Sequence, residues 1–85
     1  MADITIYTTP ICPYCHRAKS LLQQKGAKFS EIDVFMDAKA RAEMEARSGG
    51  RRTVPQIFIG DTHVGGSDEL YALEQAGKLD ALLAG

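Results

Sequence analysis

The sequence predicts a small α/β protein, β-α-β-α-β-β-α, in which one mixed sheet carries helices on its faces. Three observations predict it. An alternating apolar run, Ile4-Thr5-Ile6-Tyr7, is followed by a helix-like run from Ala18 to Lys25 and then by a β-prone stretch from Lys28 to Val34. Two strands joined through a helix make a parallel pair with a right-handed crossover. Further on, Gln56-Ile57-Phe58-Ile59 and Thr62-His63-Val64 flank Gly60-Asp61, a two-residue connection with hairpin chemistry.

Each element follows from its residues. The first strand, Ile4 to Tyr7, leads through Thr8-Thr9-Pro10-Ile11 to a helix from Pro13 to Lys25. That helix puts Tyr14, Cys15, Ala18, Leu21 and Leu22 on one side and His16, Arg17, Lys19, Gln23 and Gln24 on the other, and Gly26 stops it. In the second strand, Lys28 to Val34, Phe29 and Ile32 do not share parity. Asp37 caps an alanine-rich helix, Ala38 to Arg47, where Ala40 and Met44 face the core and Gly49-Gly50 marks the end. After the hairpin, Ser67 or Asp68 caps a helix bearing Leu70 and Leu73, Gly77 stops it, and Leu79, Leu82 and Leu83 form a short closing helix.

Eighty-five residues make one domain, 1–85, with one core. Hydrophobic residues make up 45% and charged residues 25%, ordinary for a water-soluble globule. Ten basic against eleven acidic residues leave a net charge of −1, which favours neither nucleic acid nor an anionic membrane surface as principal partner. No apolar run approaches the ~20 residues of a membrane span, and Met1-Ala2-Asp3 opens no secretory leader. The expectation is a cytoplasmic protein in a reducing thiol pool. There, the only two cysteines are expected to be catalytic rather than structural.

Those cysteines stand where the first strand hands over to the first helix, in Cys12-Pro13-Tyr14-Cys15-His16. Pro13 suits the first helical position because its φ is fixed near the helical value and the N–H it lacks would be unpaired there, leaving Cys12 as N-cap. Cys12 Sγ then faces the free amides of the first turn and the positive end of the helix dipole. Both favour the thiolate: a free cysteine is only a few per cent ionised at neutral pH, whereas helix N-termini and C-x-x-C pairs shift most of it to the nucleophilic form. Cys15, three residues on, lies on the same face within reach of a disulfide. Cys12 is expected to be exposed and to attack, and Cys15 to be more buried and to resolve. The same letters match c-type haem attachment, which needs export and a second axial ligand, while Met36 and Met44 sit in unremarkable surroundings. Structural zinc needs two more ligands, and only His16 and His63 are on offer. Chance spacing of two buried cysteines leaves the placement of Pro13 unexplained.

Around the thiols, Thr53-Val54-Pro55 reads in two ways: as the start of an edge strand, or as a cis Val54–Pro55 bond that turns the Val54 N–H and C=O outward to pair with a peptide. Gly65-Gly66-Ser67-Asp68 reads as a loop with an N-cap, or as a helix N-terminus holding a carboxylate with Asp68 pairing an ammonium. Arg51-Arg52 is a solvated pair or a second carboxylate site. His16 falls on the polar face, His63 receives no role, and Tyr7 and Tyr71 are read as packing residues with wet hydroxyls.

With Cys12-Pro13-Tyr14-Cys15, Thr53-Val54-Pro55-Gln56 and Gly65-Gly66-Ser67-Asp68 in this order, the chain from Ile4 to Leu83 resembles the bacterial dithiol glutaredoxins. The resemblance implies a thioredoxin-like fold with sheet order 2-1-3-4, Pro55 in the cis form, and glutathione as cosubstrate. It implies a tripeptide site of Tyr14, Thr53, Val54, Pro55, Gly66, Ser67 and Asp68, with no metal ligand. Tyr14 would flank the tripeptide, Val54 pair with its cysteine, and Ser67 and Asp68 hold the γ-glutamyl end. The implied activity is reduction of protein-glutathione mixed disulfides and protein disulfides through Cys12 and Cys15, by a monomer whose partners are glutathione and client proteins. One departure stands out. Many glutaredoxins carry lysine three residues before the first cysteine, where this chain has Thr9. Either Arg51 or Arg52 compensates, or the thiolate rests on the helix N-terminus, and a modestly higher thiol pKa is expected. Three rivals are weighed: a reductase fed by a flavoprotein, disfavoured by the lack of Trp before Cys12; an iron–sulfur dimer using Cys12 and glutathione, disfavoured by the stiffness of Pro13; and a non-catalytic module using the Val54 edge.

Overall fold

In the computed structural model, residues Ala2 to Ala84 are described, so that Met1 and Gly85, the ends of the expected domain, lie outside the described residues. The elements are β1 (Ile4–Thr8), α1 (Pro13–Gln24), β2 (Ser30–Asp33), α2 (Ala38–Arg47), β3 (Gln56–Ile59), β4 (Thr62–Gly65), α3 (Ser67–Gln75) and α4 (Leu79–Ala84). The strands lie in the order β2-β1-β3-β4, with β1 parallel to β2 and antiparallel to β3, and β3 antiparallel to β4. This is the expected thioredoxin-like topology.

Side-chain parity on the two central strands divides the core. Ile4, Ile6, Ile57 and Ile59 pack with Ala18, Leu21 and Leu22 of α1, Leu70 of α3, and Leu79 and Leu83 of α4. At the opposite parity, Tyr7 and Phe58 pack with Val34 and with Ala40 and Met44 of α2. Each fully buried Leu or Ile contributes roughly 1.5–3 kcal/mol of transfer free energy, so the sheet is held from both faces. The mismatch of Phe29 and Ile32 has the same origin: Phe29 packs on the first cluster and Ile32 on the second. The strand itself is shorter than expected, Ser30–Asp33, because only those residues align with β1, from Thr5↔Ser30 to Thr8↔Asp33.

Asp37 caps α2 as expected, its Oδ1 accepting from Ala40 N at 3.0 Å. In the hairpin, Gly60 takes φ 58 and Asp61 a negative φ, the backbone of a turn with glycine first. Two tyrosines depart from expectation. Tyr7 is 1% exposed and its hydroxyl accepts from Arg47 Nη1 at 2.9 Å, while Tyr71 donates to Arg17 O at 3.3 Å, so neither hydroxyl depends on water. Tyr14 also departs: although its spacing matches Ala18, it is 56% exposed and lines the groove described below.

The exit of β1 is fixed from below. Thr8 Oγ1 donates to Glu31 Oε2 at 2.7 Å, and Lys19 Nζ meets the same oxygen at 2.9 Å. One carboxylate thus ties β1, β2 and α1 together four residues before Cys12.

Candidate active site

Cys12 is the N-cap of α1, with φ −151 and ψ 98, and Pro13 opens the helix. Its Sγ accepts from Cys15 N at 3.1 Å, and its carbonyl accepts from His16 N at 3.2 Å. The two cysteines are joined in a disulfide with Cα atoms 5.2 Å apart. Cys15 is 1% exposed, as expected of the inner sulfur; Cys12 is 7% exposed, so the expectation of an exposed Cys12 is corrected for this oxidised form. The reason is local: Cys15 covers one side of the sulfur, and Val54 O stands 3.9 Å away on another. A disulfide sulfur has no proton, so that approach is a contact rather than a hydrogen bond. His16 lies exposed, as read from the helix face.

Beside the sulfurs runs a groove of about 140 Å³. Tyr14, Thr53, Val54, Pro55, Gly66, Ser67 and Asp68 all line it, together with Arg51 and Glu69. The Val54–Pro55 bond is cis. A larger cleft, about 540 Å³, lies at the far end of the sheet around Ala2–Thr5 and Lys28–Ser30 and holds no thiol. Thr9 is not in the groove; with Pro10, Ile11 and Phe35 it lines a separate, mostly apolar cleft of about 120 Å³.

The floor at α3 differs from expectation. Neither Ser67 nor Asp68 caps the helix: Gly66 is the N-cap, and its own N–H donates to Glu69 Oε1 at 2.8 Å. Glycine has no side chain to return a bond, so Glu69 supplies the whole interaction. Freed from capping, Ser67 is 4% exposed with its Oγ unpartnered among the described residues, and Asp68 is exposed on the groove wall. Arg51 Nη1 meets Glu69 Oε1 at 3.1 Å, whereas Arg52 Nε is held by Glu45 Oε1 at 2.9 Å outside the groove. Of the two arginines, Arg51 is the one at the site. Sequence spacing held a signal for Glu69, since an acid three residues after a helix start is the returning half of a capping box.

The Gly66 N–H, followed by Arg51, holds the Glu69 carboxyl below its usual value of 4.5 against the opposing effect of burial. A depressed carboxyl pKa contributes stability that is complete above the unfolded value and is lost as pH falls through the folded one. Glu69→Gln is therefore expected to cost under about 1 kcal/mol at neutral pH, because the group is half exposed. The gap to wild type should close on acidification below about pH 4.5 in chemical denaturation; a gap that stays constant with pH would contradict the assignment.

A polar chain stands behind the groove. Gln56 is 0% exposed; its Nε2 donates to Thr53 O at 3.0 Å and to Thr53 Oγ1 at 3.1 Å, and its Oε1 pairs with His63 Nε2 at 2.7 Å. The His63 ring stacks on Phe58 with centroids 4.9 Å apart. Burial, then the Arg51 charge, pushes the His63 pKa down from 6.5. The sequence points to no role for Gln56 or His63, although a glutamine at the same parity as Phe58 in an otherwise apolar strand is a visible signal. Among the described residues, no three His, Cys, Asp or Glu side chains gather as a metal site, and no helix is long and apolar enough to cross a membrane.

Comparison with known proteins agrees with this geometry. The glutaredoxin family model matches residues 4–64. A glutaredoxin of Pseudomonas aeruginosa is 61% identical over 84 residues, covering 99% of both chains. The solution structure of a Brucella melitensis glutaredoxin is 64% identical with a TM-score of 0.84, covering 98% of this chain and 89% of that one. A crystal structure of a buckwheat glutaredoxin–glutathione complex superimposes with a TM-score of 0.87 at 31% identity, covering 98% and 77%.

Proposed function

The chain belongs to the glutaredoxin family, and is a thiol–disulfide oxidoreductase; from that premise we propose how its own residues use glutathione and carry the reaction. The observation that carries the proposal is Cys12 Sγ at the start of α1, 3.1 Å from Cys15 N and beside the groove. In the reduced protein the same amide and the helix dipole stabilise a thiolate on Cys12.

The groove fits a zwitterionic tripeptide. Ser67 Oγ, buried and unpartnered, and the N–H groups that open α3 offer donors to an α-carboxylate, and Asp68 offers an acceptor to the adjacent ammonium. Val54, which lines the groove with its carbonyl 3.9 Å from Cys12 Sγ, offers backbone pairing to the central cysteine, while Tyr14 flanks it. Arg51, shared with Glu69, is the cation available to the second carboxylate.

On a protein-glutathione disulfide, the Cys12 thiolate attacks the glutathione sulfur. A new S–S bond forms, the old one breaks, and the protein thiolate leaves and takes up a proton. Cys12 is regenerated when the thiolate of a second glutathione takes that sulfur, so glutathione is oxidised and the protein reduced. On a protein disulfide, Cys12 forms a mixed disulfide with the client. Cys15 then gives up its proton and attacks Cys12 Sγ, releasing the second client thiolate and leaving the Cys12–Cys15 disulfide. Reducing equivalents on this scheme come from a glutathione pool, consistent with a cytoplasmic setting, and one chain suffices.

The test is glutathione-dependent reduction of a small mixed disulfide coupled to glutathione reductase; no turnover by wild type above a Cys12→Ser control sinks the proposal. Thr9 refines it. With no cation at that position, the thiolate depends on α1, so Thr9→Lys is expected to lower the Cys12 pKa in alkylation rate against pH. No downward shift would refute the inference that the missing lysine matters.

A further inference from the structure

We propose that Gln56, held by His63, is a positioning residue that fixes the Thr53 hydroxyl as a hydrogen-bond donor into the glutathione groove. The inference rests on the function proposed above and deepens it. Its basis is that each hydrogen bond from His63 through Gln56 to Thr53 has a determined direction. Thr53 O accepts only, so the Gln56 atom facing it at 3.0 Å is the amide nitrogen. The other end of that amide is then the oxygen, which also accepts only, so His63 Nε2 is the donor at 2.7 Å. The same Gln56 nitrogen donates to Thr53 Oγ1 at 3.1 Å, occupying one of its two lone pairs and fixing the rotamer of the side chain. Thr53 has one hydroxyl proton left, no acceptor for it among the described residues, and a position on the groove wall.

The pair is built for this task. Gln56 is fully buried, and a buried amide left without partners is costly, so its three bonds persist together. His63 is clamped in turn by stacking on Phe58, itself 4% exposed in the core. The result joins β4, β3 and the Thr53–Pro55 segment into one rigid unit. A groove with a donor at Thr53 favours a ligand that can place an acceptor oxygen there, and a tripeptide spreads two carboxylates and two peptide carbonyls over its length, whereas a cysteinyl group has a single carboxylate close to its sulfur.

The experiment compares steady-state reduction of one peptide carrying either a glutathionyl or a cysteinyl mixed disulfide, in wild type, Gln56→Met, Thr53→Val and the double variant. Gln56→Met removes both bonds to Thr53 at similar volume, and Thr53→Val, an exposed substitution, removes the hydroxyl with the fold intact. Each single variant is expected to raise KM for the glutathionylated peptide about five- to tenfold, the equivalent of one hydrogen bond, with kcat within about twofold. The double variant should show no further rise, since both changes disable one donor. The cysteinylated peptide should be unaffected. A lowered Tm for Gln56→Met with KM unchanged, additive effects in the double variant, or an unchanged KM in Thr53→Val overturns the proposal. A wild type that does not prefer the glutathionylated peptide overturns the underlying glutathione function and this inference with it.

Discussion

Replacing Cys12 by serine is expected to abolish glutathione-dependent disulfide reduction, with a loss of at least about 10³-fold in kcat/KM. A serine hydroxyl at the same helix N-terminus receives the same amide but stays protonated at neutral pH, so the field has no anion to stabilise. Cys15→Ser separates the two halves of the chemistry. Cys12 alone completes the exchange with a glutathionylated substrate, because a second glutathione removes the group it carries. Deglutathionylation should therefore survive within about tenfold, while reduction that ends in the Cys12–Cys15 disulfide falls to background. The geometry behind this is direct: the sulfurs are joined in the structure, Cα atoms 5.2 Å apart, and Cys15, at 1% exposure, is out of reach of an incoming substrate. Loss of both activities in Cys15→Ser would contradict the division of roles.

The second large effect is expected at Gly65, which precedes the α3 N-cap with φ 111. A Cβ there would stand 2.6 Å from Glu69 Oε1 and 2.9 Å from Arg51 Nη1. Both side chains can swing aside, but doing so removes the carboxylate that accepts from Gly66 N and the cation beside the groove. The backbone conformation adds a strain that only glycine avoids, about 1–3 kcal/mol. Gly65→Ala is expected to lower Tm by roughly 5–20 °C and to raise KM for the glutathionylated substrate. Glu69→Gln provides the comparison, since it weakens the same contacts with the backbone untouched. If Gly65→Ala costs no more than Glu69→Gln in thermal unfolding, the strain argument fails.

Much of this was legible from the chain alone. Elements whose residues carry their own local instructions appeared where expected: Pro13 after Cys12 at the start of α1, Asp37 at the start of α2, and Gly60-Asp61 in the hairpin. What went unread depended on partners distant in sequence. Tyr7 and Tyr71 look alike as isolated aromatics, yet one hydroxyl meets Arg47 on α2 and the other the Arg17 carbonyl on α1. Intrinsic preference points to Ser67 or Asp68 for the α3 cap, since both are better capping residues than glycine, whereas the glutamate three residues after Gly66 wins by reaching back to its N–H.

The redox pair, its strand-to-helix setting and the order of elements are all readable along the chain, since each follows from spacing, backbone preference or capping within a few residues. Which arginine faces the groove, why Ser67 Oγ is left free, and the placing of Gln56 and His63 behind Thr53 emerge from the folded arrangement alone. Those outcomes depend on where β4, β3 and α3 meet, and hydrogen-bond partners across such a junction are set by packing geometry, which leaves no periodic trace along the chain.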